Sequence, residues 1–205
     1  MTDTQAHGRH AAPMKIVLAT HNSHKVEELR RILGDRLEGF ELVGYDGPEP
    51  VEDGDTFEAN ALIKARAAAA FTGLPSIADD SGISVDALDG APGIHSARYA
   101  GNRDDAENLE LLLTNVAALG PDVDRTAHFS CAAALVDGDY EHVELGIWPG
   151  VVLEQAAGDG GFGYDPIFQP DGVGHSAAEM TPDEKNAVSH RARAFGQLIE
   201  VIRAR

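Results

Sequence analysis

Thr126-Ala127-His128-Phe129-Ser130-Cys131-Ala132-Ala133-Ala134-Leu135-Val136 runs into Asp137-Gly138, and Tyr140-Glu141-His142-Val143-Glu144-Leu145-Gly146 follows at once. Two strand-like segments across an Asp-Gly turn predict an antiparallel hairpin. Upstream of it, strands and helices alternate as in parallel units. A hairpin cannot be parallel, so the sheet that it joins is mixed and the fold class is α/β.

Working back toward the N-terminus, Lys15 to Ala19 is a short apolar run, read as a buried strand. The polar stretch Thr20 to His24 follows, and Val26, Leu29, Ile32 and Leu33 then recur at helical spacing until Gly34. Phe40 to Val43 reads as a second strand, and Gly44 to Asp55 as an acidic loop broken by Pro48, Pro50 and Gly54. Thr56 opens an Ala-rich helix that Gly73 closes before Pro75. Pro75 to Ala78 reads as a strand ending at Asp79-Asp80-Ser81-Gly82, with Ile83 to Leu88 as a separate one. Asn102 to Leu119 carries a helix with Leu109, Leu112, Leu113 and Val116 on one face. Beyond the hairpin, Gly158 to Tyr164 is too rich in glycine for regular structure. From Pro182 a terminal helix places Val188, Ala192, Phe195, Ile199 and Ile202 in one stripe.

The chain has 205 residues, with 16 Lys plus Arg against 34 Asp plus Glu, a formal charge of −18. Nucleic-acid binding needs a broad basic face, which this balance excludes. No apolar run reaches the roughly 18 residues of a membrane span. Cys131 is the only cysteine, which leaves no disulfide framework and no cysteine-based zinc site. The expected protein is soluble and cytoplasmic, with residues 1–13 a flexible extension and 14–205 a single domain. Of its four lysines, Lys25, Lys64 and Lys185 fall inside polar motifs.

Five motifs carry possible chemistry. Thr20-His21-Asn22-Ser23-His24-Lys25 leaves a strand and opens a helix, so backbone N–H groups, the positive helix end and a lysine converge where a phosphate would fit; a capping turn is the plain alternative. Asp79 and Asp80 after an apolar run cost solvation energy unless a cation or donors compensate, and hard carboxylate ligands there suit Mg²⁺. Alternation along an extended segment aims only one of the two into a shared site. Asn60 and Lys64 share a helix face, where an amide and an ammonium could meet one ligand, though a solvated face is the favoured reading of this segment by itself. Phe162-Gly163-Tyr164-Asp165 offers close backbone approach and an aromatic platform on which a purine could stack. Lys185 with His190-Arg191 offers donors for an oxo group or a phosphate. Phosphate donors, a carboxylate metal site, an aromatic platform and base-edge donors together describe a nucleotide site.

These residues resemble the inosine triphosphate pyrophosphatase family, the XTP/dITP diphosphatases. The resemblance rests on Leu18 to Lys25 with Glu28, Phe57 to Ala61 with Lys64, Ala78 to Gly82, Gly93 to Gly101, Gly161 to Pro166 and Ser189 to Arg191. It departs at Ala59, where the family has Glu, and in the acidic loop Val51-Glu52-Asp53-Gly54. The resemblance implies an elongated, two-lobed α/β fold with a central mixed sheet, a cleft between the lobes, and a homodimer. It implies Mg²⁺-dependent hydrolysis of ITP, dITP or XTP to the monophosphate and pyrophosphate, which cleanses the nucleotide pool. A nucleotide sensor without turnover, or a pyrophosphatase for other modified nucleotides, is the alternative. By the same analogy Asp80 is the proton acceptor and holds Mg²⁺ with Glu52, Asp53 being the other candidate. Thr20, His21, Asn22, Ser23, His24, Lys25 and Lys64 would bind phosphates. Ser81, Phe162, Gly163, Tyr164, Asp165, Lys185, His190 and Arg191 would bind the rest of the nucleotide, with His190 and Arg191 donating to the 6-oxo group.

Overall fold

The computed structural model describes residues 13–21 and 23–205, with only the backbone of Ser23 and His24. Six strands form one sheet: β1 (Met14–Leu18), β2 (Phe40–Gly44), β3 (Ser76–Val85), β4 (Thr126–Asp137), β5 (Tyr140–Val152) and β6 (Phe168–Pro170), in the order β2-β1-β3-β4-β5-β6. β1 runs parallel to both neighbours, and every pair from β3 to β6 is antiparallel. The expected mixed sheet is therefore present. The hairpin closes with Asp137 opposite Tyr140, and its ladder continues to Thr126 opposite Val151, well past the predicted end at Gly146.

Among the described residues five α-helices flank the sheet: α1 (Ser23–Leu33), α2 (Phe57–Thr72), α3 (Asp105–Ala118), α4 (Pro182–Val188) and α5 (His190–Arg203). Strand alternation decides which helix each residue of β4 meets. Cys131, Ala133 and Leu135 pack with Leu29, Phe195 and Leu198 of α1 and α5. Ala132, Ala134 and Val136 face the opposite way, against Ala61, Ala65 and Ala68 of α2. Small side chains on both surfaces let α2 lie close to the sheet. Thr56 caps its start by accepting from Ala59 N, and Gly73 ends it at φ 69°, a left-handed conformation that glycine adopts without steric cost.

The far ends of the same long strands belong to a second core. Ile83 and Val85 of β3, Phe129 of β4, and Trp148 and Val152 of β5 pack with Leu112 and Val116 of α3 and with Tyr164, Ile167 and Phe168. The two lobes thus share β3, β4 and β5, and the middle of β3 lies between them.

Two sequence expectations need correction. Asp79 to Gly82 is no strand end, because β3 is continuous from Ser76 to Val85 and pairs with β4 along its whole length. β1 stops at Leu18, opposite Ile77, so β3 continues beyond it with no strand on that edge until Ser84 bridges to Pro92. The terminal helix is also broken. Ser189 (φ −64°, ψ 164°) leaves the helical region, and its hydroxyl accepts from Ala192 N. The preference of serine for capping wins over the apolar periodicity. Val188 drops out of the stripe at 37% exposure, while Phe195, Ile199 and Ile202 remain buried with Ala194 and Leu198.

Candidate active site

The open edge of β3 floors a cleft of about 340 Å³ between the lobes. Alternation sends the adjacent carboxylates to opposite faces. Asp79 lies on the α1–α5 side, where Lys25 Nζ donates to both of its oxygens at 3.3 and 3.2 Å and Arg191 Nε donates at 3.2 Å. Asp80 lies on the α2 side, where Lys64 Nζ donates to Oδ1 at 3.2 Å. Lys64 also donates to Glu52 at 3.0 Å, so one ammonium joins two carboxylates. Asp53 is exposed beside it and shares none of these contacts.

The two environments push the acids apart. Burial would raise the Asp79 carboxyl, but the charges of Lys25, Arg191 and Lys64 outweigh it and hold the group well below the usual range. Asp80 moves up, because burial and the nearby Glu52 and Asp79 outweigh Lys64. Its Oδ2 is buried and has no hydrogen-bond partner among the described residues. Burial lowers Lys64, but Asp80, Asp79 and Glu52 together raise it, so it stays charged.

Asn60 does something other than meet a ligand beside Lys64. It is buried, and its Oδ1 accepts from Gly54 N at 2.9 Å, bracing the loop that carries Glu52. The phosphate-loop residues Thr20, His21 and Lys25 line the cleft together with Lys64 and Glu52. Asn22 and the side chains of Ser23 and His24 lie outside the described residues.

The other end of the cleft is aromatic and cationic. Phe162 is 46% exposed, with Lys185 Nζ 4.8 Å and the Arg191 guanidinium 5.2 Å from its ring centroid. Asp165 fixes this corner by accepting from Phe162 N and from the buried Lys185. Gly163 N donates to Asp105 Oδ2 at the start of α3 at 3.1 Å. Tyr164 departs from the expected exposed platform: its ring is buried in the second core, and its hydroxyl donates to Ser96 O at 2.8 Å. Of the two aromatics in this loop, Phe162 presents an open ring, while the buried Tyr164 still lines the cleft.

His190 and Arg191 are both buried, because the break at Ser189 turns them inward. His190 stacks on Phe129 with centroids 4.7 Å apart and planes within 9°. Burial, then the charges of Arg191 and Lys185, hold its pKa well below the ordinary value, so the ring is neutral. Its Nδ1 has no partner among the described residues. Arg191 donates from Nε to Asp79, from Nη1 to Glu28 at 3.4 Å and from Nη2 to Ser81 at 2.9 Å. Three of the five guanidinium N–H groups are thus engaged within the protein.

Sequence reasoning left out Glu28, Glu49, Arg103, Asp105 and Phe129. Glu28 stood in the quoted motif, and its spacing from Lys25 on one helix face was the available signal. The others come from distant segments and carried no local pattern.

Fold and site together define a two-lobed α/β protein with a cleft of paired cations and carboxylates over the open edge of one shared strand. Residues 16–201 match the model of the Ham1 family, and the chain belongs to that family. It is 58% identical over 194 residues to the dITP/XTP pyrophosphatase of Leifsonia xyli subsp. xyli, covering 93% of this chain and 96% of that one. Identity to the dITP/XTP pyrophosphatase of Streptomyces coelicolor is 52% over 196 residues, with 92% and 97% covered. The solved structure of a HAM1 protein from Coxiella burnetii superposes with a TM-score of 0.84 at 41% identity, covering 94% of this chain and all of that one.

Proposed function

We propose that the protein hydrolyses ITP, dITP and XTP to the monophosphate and pyrophosphate in a Mg²⁺-dependent reaction. The observation that carries this reading is the state of Asp80. One of its oxygens is held by Lys64, the same lysine holds Glu52, and the other oxygen is buried without a partner. A carboxylate left in that condition calls for a cation or a proton donor. The names of the Leifsonia and Streptomyces relatives support the choice of substrate.

The residues fit a magnesium ion. Among the described residues no group of three or more His, Cys, Asp or Glu side chains gathers as a metal cage. Two carboxylates completed by phosphate oxygens and water are the usual setting of Mg²⁺, and Asp80 with Glu52 would hold it. When bound, the ion offsets phosphate charge and stabilises the departing pyrophosphate.

Every other task falls to the chain itself. Asp80 takes the proton of the attacking water at its unpartnered oxygen, and its upward shift makes it a better base than an ordinary aspartate. Lys64 keeps Glu52 and Asp80 together at low repulsion and faces the polyphosphate. Lys25, steadied by Asp79, and the Thr20 turn meet the phosphates at the start of α1. The base lies on Phe162, and the neutral His190 can donate a hydrogen bond without bringing charge beside the purine. A donor aimed at a 6-oxo group is left facing the amino group of adenine, and a buried unpaired donor costs about 1–3 kcal/mol.

On this reading the protein works in the cytosol as a homodimer; among the described residues no helix is long and apolar enough to cross a membrane. The test is pyrophosphate release from ITP and from ATP, with Mg²⁺ and with EDTA. Release should be at least tenfold faster with ITP and should stop with EDTA, about 1.4 kcal/mol of discrimination. Equal rates on ITP and ATP would refute the substrate assignment, and undiminished release in EDTA would refute the metal.

A further inference from the structure

The polyphosphate end of the cleft carries two charged side chains that the proposed chemistry leaves without a role, Glu49 and Arg103. Both line the same cavity as His21, Lys25 and Lys64. Glu49 stands on the acidic loop, and its Oε1 accepts from His21 Nδ1 at 3.0 Å. The His21 ring is stacked on Tyr45 with centroids 5.4 Å apart, which holds its Nδ1 edge toward that carboxylate. Arg103 enters from the opposite lobe, on the residue before Asp104, the N-cap of α3.

The cations of this cleft differ in one respect. Lys25 is bonded to Asp79, Lys64 to Glu52 and Asp80, Lys185 to Asp165, and Arg191 to Asp79 and Glu28. Arg103 is exposed and makes no hydrogen bond or ion pair among the described residues. It nevertheless stands near the His21–Glu49 pair. The Glu49 carboxyl is held low by the His21 hydrogen bond, against slight desolvation, and then by the charges of His21, Arg103 and Lys64. Arg103 and Lys64 line one cleft together with this carboxylate.

We propose that His21 and Arg103 form a subsite for the terminal phosphates of the nucleotide, and that Glu49 occupies it as an internal anion until those phosphates displace it. The proposal rests on the reading that the substrate is a nucleoside triphosphate. Carboxylate and phosphoryl oxygens accept the same hydrogen bonds, but a terminal phosphate carries more charge and more oxygens, and an arginine fork matches it well. Glu49 is 64% exposed at its side chain, so its displacement exposes nothing and forfeits only a weak surface pair. The exchange also separates substrate from product. A monophosphate lacks the groups that would reach His21 and Arg103, so Glu49 returns as pyrophosphate leaves.

Calorimetric titration with pyrophosphate and with IMP in Mg²⁺ buffer, together with the KM for ITP, tests this on the full chain. Both positions are exposed, and Arg103→Lys is included as the conservative variant. Arg103→Gln should weaken pyrophosphate and raise the KM for ITP about tenfold, with IMP affinity within about twofold of wild type and Arg103→Lys intermediate. Glu49→Gln should act in the opposite direction and bind pyrophosphate about threefold tighter. Pyrophosphate affinity within twofold of wild type in Arg103→Gln would overturn the subsite. So would a Glu49→Gln variant that loses as much affinity as Arg103→Gln, since Glu49 would then build the site and not occupy it. If pyrophosphate binding depends on Arg103 but ITP is not turned over, the subsite stands and the proposed activity falls. If ITP is turned over with the same KM in Arg103→Gln, the activity stands and the subsite falls.

Discussion

Asp79 and Asp80 are adjacent in sequence, lie on one strand, and have opposite situations. Asp79 sits in a closed ring of donors from Lys25 and Arg191, which keeps it charged and static. Asp80 shares a single lysine with Glu52 and keeps one buried oxygen free. The cause is the alternation of a strand: one face of β3 meets α1 and α5, which bring cations, and the other meets α2, which brings one lysine and an acidic loop. One carboxylate is thus tied into the cleft by its cations, and on the proposed reading its neighbour is the one left available for chemistry. Active sites commonly carry such a local deficit in stability.

The widest gap between the two should appear in turnover. Asp80→Asn should lower ITP hydrolysis by well over tenfold, more than about 1.4 kcal/mol, because base and metal ligand disappear together. The same variant in metal-free protein should unfold at an equal or higher urea midpoint, since a neutral side chain suits that site better than the charged one. A variant that kept more than a tenth of wild-type activity would break the contrast.

Asp79→Asn should act first on the fold. It leaves the buried Arg191 and the partly buried Lys25 without their main partner, a loss of about 3 kcal/mol readable in urea unfolding. A fall of under about 1 kcal/mol would mean that the ring contributes little.

Acid sharpens the comparison further. The folded Asp79 carboxyl lies below its unfolded value, so its contribution is complete above about pH 4 and is lost as pH falls from there toward the folded value. Wild-type stability should decline across that interval, and Asp79→Asn should decline distinctly less. Parallel curves for the two proteins would place the acid sensitivity elsewhere.

Tyr164→Phe should give the smallest effect. Removing the hydroxyl that meets Ser96 O costs about 1 kcal/mol, a fall of roughly 2–4 °C in Tm for a chain of this size. KM for ITP should stay within twofold if Phe162 alone forms the open platform. A large rise in KM would return Tyr164 to direct contact with the base.

The legible part of this molecule was the part governed by short-range rules. The Asp137-Gly138 hairpin, the helix start at Thr56, the Gly73 stop and the apolar run of β1 depend on neighbours within a few residues, and the structure has them within a residue of where the sequence reading places them. The continuous β3 was missed because Asp79-Asp80-Ser81-Gly82 looks like a turn when read alone; the β4 ladder supplies the strand from about 50 residues away. The break at Ser189 was missed because Val188 and Ala192 are four residues apart, the spacing of one continuous helix face. In the site, Lys25 and Lys64 were visible as scarce lysines in polar motifs, and Asp80 as one of two adjacent acids after an apolar run. Glu49, Arg103 and Phe129 were not, because only folding brings their segments to one cleft. Asn60 was visible, but with the wrong partner: its amide meets the backbone of Gly54.

The most direct test of the account is the identity of the products. Phosphorus NMR of ITP incubated with the protein and Mg²⁺ should show IMP and pyrophosphate appearing in equal amounts, with no IDP and no orthophosphate. ITP that binds but stays intact beside a no-enzyme blank would contradict the account and make the cleft a nucleotide sensor. IDP with orthophosphate would place the broken bond between the β and γ phosphates and contradict the proposed release of pyrophosphate.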